Sequence, residues 1–133
     1  MPATSKKRLL ERISALLHED EPELDETAAF QSLVERERLG STGIGDGVAL
    51  PHGRLKGLTK AVGAFAILEQ EMDYDAADKK PVKMVFALLV PENADEEHLK
   101  ILAQLAGIFS KQEMREKLLR ARSDKEIYEC LTA

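Results

Sequence analysis

VKMVFALLVP, residues 82–91, carries a single charge, at Lys83, and otherwise runs through apolar and β-branched side chains to a proline. A short run of this kind, bounded by turn formers, reads as a buried strand. AVGAFAIL at 61–68 has the same character, and VAL at 48–50 is a third, much shorter candidate. Between the two long runs EQEMDYDAADKKP, 69–81, is polar and turn-rich. It reads as a connection, with an edge strand around Met72 to Tyr74 as its only regular feature.

Away from these strands, in both directions, the apolar period becomes helical. From Ser5 to His18, Leu9, Leu10, Ile13, Leu16 and Leu17 form one face against Lys6, Lys7, Arg8, Glu11 and Arg12. Pro22 interrupts, and a second helix is predicted from an Asp25 N-cap through Ala29, Phe30, Leu33 and Val34 to Leu39, with Gly40 as its stop. After the strands, Asn93 and Asp95 are cap candidates for a helix whose face is Leu99, Leu102, Leu105, Ala106 and Phe109. Met114, Leu118 and Leu119 mark another, and Ser123 to Glu126 fits a capping box ahead of Ile127, Tyr128 and Leu131. Helices, then strands, then helices predict a small α/β layered domain with a mixed or antiparallel sheet covered by helices.

Composition narrows the function classes. The 133 residues are 44% hydrophobic and 32% charged, which suits one globular domain with one core. The net charge of −5 disfavours nucleic acid as a partner, and the acidic run at 18–26 reads as a solvated link between helices. Cys130 is the only cysteine, so no internal disulfide is possible and a reducing compartment fits. No signal peptide and no apolar run approaching the ~18 residues of a membrane span is present, so a cytoplasmic protein without membrane insertion is expected.

The chemistry concentrates in GIGDGVALPHGRL, residues 43–55. Six of the eight glycines lie between Gly40 and Gly57, so backbone geometry is being specified there. Glycine-rich loops can aim N–H groups at an anion, but Val48 stands where G-x-G-x-x-G needs its last glycine, and no G-K-[ST] follows. Pro51 fixes its own φ and biases Leu50 toward extended backbone, which presents His52 at a strand end with Gly53 free to turn away. A neutral imidazole nitrogen there is a nucleophile able to attack phosphorus; a loop histidine bonded to a carbonyl is the plainer alternative. His98, in DEEHLKIL, falls in the first turn of a helix that follows a buried strand. It either meets His52 at the sheet edge, as a donor to a phosphoryl oxygen, or is a surface residue. His18 is explained by its place at a helix C-terminus and has no assigned role. H-E-x-x-H is absent and nothing local draws the three histidines together, so no metal is expected.

RERLGSTGIGDGVALPHGRL, 36–55, resembles the active-site segment of the fructose- and mannitol-type enzyme IIA proteins of the bacterial phosphoenolpyruvate-dependent phosphotransferase system. RLGSTGIG followed by PHGRL is most similar to the nitrogen-regulatory branch, and the likeness extends through VFALLVPENADEEHLKILAQLA at 85–106 to LLRARSDKEIYECL at 118–131. The resemblance implies one domain over 1–133, with a small mixed sheet of four to five strands covered by helices on both faces. Members carry an extra N-terminal segment with an edge strand, where here only Met1 to Thr4 precede SKKRLLERI, so that strand is expected to be missing.

By the same resemblance His52 is the phosphorylated histidine, His98 the second active-site histidine and Arg36 the arginine near the phosphoryl group. Thr42, Gly43, Gly45, Pro51 and Gly53 would form the phosphate-binding loop. No cofactor is implied. The implied partners are a histidine phosphocarrier as donor and regulatory targets such as sensor kinases or potassium transporters. An apolar ring for the donor is expected around the site, with Leu55, Leu58 and Ile44 as candidates. The expected function is a phosphoryl-carrier regulator of nitrogen metabolism and potassium handling. A sugar-transport IIA component passing phosphate to a IIB domain, and a binding module that does not use His52, are the alternatives.

Overall fold

A computed structural model describes residues 5–76, 78–94 and 96–127, with the backbone alone for residues 97–99. Helix α1 (Lys6–Asp20) is capped by Ser5, whose hydroxyl accepts from the Arg8 N–H at 3.2 Å, and it buries Leu9, Leu10, Ile13 and Leu17. Helix α2 (Glu26–Arg38) starts at the predicted cap: an Asp25 carboxylate oxygen accepts from the Thr27 and Ala28 N–H groups.

Five strands follow: β1 (Gly43–Gly45), β2 (Val48–Ala49), β3 (His52–Leu55), β4 (Val62–Met72) and β5 (Val82–Pro91). The apolar run at 82–91 is the centre of the sheet. β4 pairs with one edge of β5 antiparallel, while β2 and β3 pair with the other edge in parallel. Val48 stands opposite Met84 and His52 opposite Leu88, so β2 and β3 keep one register and are one strand interrupted at Leu50 and Pro51. The interruption follows from proline's missing N–H; the Pro51 carbonyl still accepts from the Leu88 N–H at 3.0 Å. β1 folds back on β2 through Gly45, Asp46 and Gly47, with φ of 96°, 56° and 79°, a left-handed turn that the two glycines adopt without strain and that an aspartate tolerates better than most side chains.

The sheet is therefore mixed, and both faces are covered. Val85, Ala87 and Leu89 of β5 join α1 and α2 in the larger core. Met84 and Phe86, pointing the other way, join α3 (Glu96–Phe109) and α4 (Gln112–Arg120). The second core is aromatic: Phe109 stacks on Phe65 at 5.8 Å between ring centroids and tilts against Phe86 at 6.1 Å. Half of the expected capping box forms: the Glu126 N–H donates to Ser123 Oγ at 3.2 Å, while the Glu126 carboxylate accepts from the Arg122 N–H at 2.8 Å. Asp95, Tyr128, Cys130 and Leu131 lie outside the described residues.

Three expectations are corrected. Residues 69–72 continue β4 past a register shift after Ile67, so they are strand where a connection was expected, and Tyr74 follows as a buried side chain in irregular backbone. The 43–45 and 52–55 segments are strands the period did not reveal, because glycines leave no side-chain alternation to read. Gly53 does not turn the chain away: it sits in β3 opposite Leu89. Among the described residues no strand precedes α1, and no helix is long and apolar enough to cross a membrane.

Candidate functional site

His52 opens β3 immediately after the proline break, and both ring nitrogens are engaged. Nδ1 lies 2.8 Å from the Leu50 carbonyl oxygen. A carbonyl only accepts, so Nδ1 carries the proton and the Nε2 lone pair is left facing outward. The Arg36 Nε–H donates to that lone pair at 3.2 Å. Carbonyl bonding at Nδ1 therefore leaves the Nε2 lone pair of the same ring as an acceptor, so the two readings the sequence poses as alternatives are compatible.

Arg36 reaches His52 because the sheet edge is open at this level. Among the described residues β3 pairs only with β5, so its other edge carries no strand, and α2 packs against β3. Gly53 allows that approach: a Cβ at this position would run into Ser32 Oγ and stand 3.2 Å from the Ser32 carbonyl oxygen. Ser32 Oγ also donates to the Arg54 carbonyl at 2.7 Å, tying helix to strand. Arg36 is held at a second point, its Nη1 donating to the Gly40 carbonyl at 2.9 Å. Among the described residues it forms no ion pair with a carboxylate.

His52 and Arg36 line an open groove of about 400 Å³ with Leu88, Val90 and Leu102 as apolar walls and Leu39 at the rim, 84% exposed. Leu88, the register partner of His52, Val90, Leu102 and Leu39 are the groove's apolar lining. Of the expected ring, Leu55 is buried in the core, Leu58 packs against it and Ile44 lies on β1, and none of the three lines this groove. Position 98 stands one helical turn before Leu102 on α3, but the His98 side chain lies outside what is described.

The loop residues hold the site more than they face it. The Thr42 N–H donates to both Glu37 carboxylate oxygens at 3.3 Å, and the Gly43 N–H to Ser41 Oγ at 3.1 Å. Gly45 pairs with Val48, four residues from His52 along the neighbouring strand, or about 13 Å at strand rise. Pro51 and Gly53 flank His52 directly. The structure thus brings together His52, Arg36, Pro51 and Gly53, and leaves the Thr42, Gly43 and Gly45 backbone donors aimed elsewhere.

Sequence reasoning missed a buried polar cluster beside Arg36. The Glu37 side chain, 6% exposed, pairs with Lys6 Nζ at 2.7 Å. It also accepts from the Tyr74 hydroxyl at 2.9 Å and from the Thr42 hydroxyl. Lys6 Nζ lies 4.4 Å from the centre of the Tyr74 ring. Burial above all pushes the Tyr74 phenol far up, the Thr42 bond pulls the other way and Glu37 adds to the rise, so Tyr74 stays a donor. The only available signal was Tyr74, an aromatic residue in an otherwise polar connection.

The profile of the phosphoenolpyruvate-dependent sugar phosphotransferase system EIIA 2 family matches residues 1–133. The chain belongs to that family. A nitrogen regulatory protein of Pseudomonas aeruginosa is 43% identical over 129 residues, covering 97% of this chain and 84% of its own length. The crystal structure of the nitrogen regulatory protein IIA-Ntr from Neisseria meningitidis superposes with a TM-score of 0.91 at 47% identity, over 98% of this chain and 89% of that one. Mannitol IIA of Escherichia coli, at 20% identity, shares the fold with a TM-score of 0.81, over 98% of this chain and 92% of that one. The likeness to the nitrogen-regulatory branch, and the mixed α/β fold, agree with what residues 36–55 and 85–106 suggest. A phosphotransferase-system EIIA domain is thus the frame in which the His52 groove has to work.

Proposed function

We propose that this EIIA chain, a single domain over residues 1–133, accepts a phosphoryl group on His52 from a histidine phosphocarrier and regulates partner proteins according to its phosphorylation state. The observation that carries the reading is the pair of bonds on His52. Leu50 holds the Nδ1 proton and so leaves Nε2 as the nucleophile, facing an open groove and an arginine that, among the described residues, pairs with no carboxylate.

In the transfer the Nε2 lone pair attacks phosphorus in line as the donor's N–P bond breaks and its electron pair returns to the donor imidazole. One N–P bond forms and one breaks, both rings keep the protons on their other nitrogens, and neither metal nor nucleotide is required. The Arg36 Nε–H exchanges the lone pair for a phosphoryl oxygen, with Gly40 anchoring the other end of the guanidinium. His98, by resemblance, supplies a second donor to the phosphoryl group. Leu39 and Leu102 give the donor protein apolar contact at the rim.

The names of the relatives support nitrogen metabolism as the regulated process; potassium handling, with sensor kinases or transporters as targets, rests on the resemblance. Charge argues against nucleic acid, and the cytoplasm is the compartment where such partners meet. The test is intact mass after incubation with phosphoenolpyruvate, the general phosphotransferase and a histidine phosphocarrier. One acid-labile phosphate is expected on the native chain and none on His52→Ala. Arg36→Ala is expected to slow charging roughly a hundredfold. Native chain left uncharged by a charged donor would defeat the proposal in favour of a binding module.

A further inference from the structure

We infer that Glu37 is a positioning residue for the His52 site, acting through Arg36, with Lys6 and Tyr74 as the groups that hold it in place. This rests on the carrier reading for its kinetic consequence, though not for its structural one. Arg36 and Glu37 are neighbours in the last turn of α2, and they point to different tasks. Arg36 turns to His52 and the Gly40 carbonyl. Glu37 turns inward, where its carboxylate takes the Thr42 N–H, the Thr42 hydroxyl, the Tyr74 hydroxyl and Lys6 Nζ.

These bonds brace the corner between α2 and β1. Residues 38–41 are spanned by the contacts from Glu37 to Thr42, and Gly40, whose carbonyl anchors Arg36, lies inside the span at a φ of 152° with nothing within 4 Å of where its Cβ would be. Gly40 is held by its backbone, its N–H donating to the Glu37 carbonyl at 3.2 Å and its carbonyl accepting from Arg36 at 2.9 Å, and the side-chain brace adds to that restraint. The corner is also tied from outside: Ser41 Oγ donates to the Tyr74 carbonyl at 2.8 Å, and the Leu50 N–H donates to the Thr42 carbonyl at 2.9 Å, joining the brace to the residue that orients His52.

Lys6 has a second consequence. A buried carboxylate one residue from Arg36 is an obvious competitor for its guanidinium, and pairing of Glu37 with Lys6 removes that competition. Arg36 keeps its charge for an anion because Glu37 is already satisfied. Loss of the carboxylate charge leaves His52 on Leu50 but frees the far end of Arg36. The expected defect lies chiefly in the transfer step, since Leu88 and Leu102, which wall the groove, lie outside the braced span.

The experiment uses the full chain and its Glu37→Gln and Tyr74→Phe variants, the second retaining fold should the first not. Single-turnover charging by a phosphorylated histidine phosphocarrier is followed over donor concentration, and the Arg36 Nε–H resonance is followed by NMR on the uncharged protein. Glu37→Gln is expected to lower the saturated transfer rate roughly tenfold to a hundredfold, with a much smaller change in half-saturating donor concentration. Its Arg36 Nε–H signal is expected to lose protection from solvent exchange, and Tyr74→Phe to fall between it and the native chain. Native rates and a native Arg36 signal in both folded variants would overturn the inference. So would a defect confined to donor affinity. If the native chain itself takes no phosphate, the carrier reading fails separately, and the Arg36 signal still decides the positioning.

Discussion

Gly53 places its Cα against Ser32, and an alanine there would have to displace α2 from the strand that carries His52. Gly53→Ala is expected to lower unfolding free energy by about 1–3 kcal/mol in urea titration and to slow charging of His52, because Arg36 rides on the displaced helix. His52, Arg36 and Pro51 were legible in sequence because proline and histidine in a glycine-rich stretch announce a presented side chain, and because the family resemblance supplied Arg36. Glu37 and Tyr74 were not legible. A glutamate in a charged helix turn reads as solvated, and only the tertiary fold brings a tyrosine thirty-seven residues away to its carboxylate.

The elements act on the site through their ends. Asp25 starts α2, and Arg36 and Glu37 finish it, so the cap sets the stability of the whole helix that closes the groove. Asp25→Ala is expected to cost about 0.5–2 kcal/mol of stability by thermal or urea unfolding while leaving His52 chargeable. Helix boundaries were readable because caps and 3.6-residue periods are local signals. Strand boundaries were harder. β2 and β3 are one strand broken by Pro51, and β1 is mostly glycine, so neither offers an alternation of side chains. β4 runs into a polar stretch because its far end is exposed at Glu69, Gln70 and Glu71, where water satisfies the side chains.

At the scale of the whole molecule β5 carries the load, packing one face on α1 and α2 and the other on the aromatic cluster. Leu89 is fully buried in the larger core, and Leu89→Ala is expected to cost roughly 2–5 kcal/mol in denaturant unfolding. Tyr74 adds a pH dependence of definite sign. Its phenol ordinarily ionises near 10.0, and in the fold burial holds that value well above this. Below the ordinary value both states are neutral and the group contributes no pH dependence. As pH rises through about 10 only the unfolded chain loses the proton, so stability falls with pH. Urea unfolding between about pH 9 and 11 should show a steeper decline for the native chain than for Tyr74→Phe.

The central claim is that His52 Nε2, freed by the Leu50 carbonyl and faced by Arg36, is the phosphoryl acceptor. Phosphorus–proton correlation NMR of the charged protein reads the bonded nitrogen directly. The account predicts a single phosphohistidine, on Nε2 of His52, absent from His52→Ala. A phosphate on Nδ1, on another residue, or on neither protein when the donor is charged would contradict it.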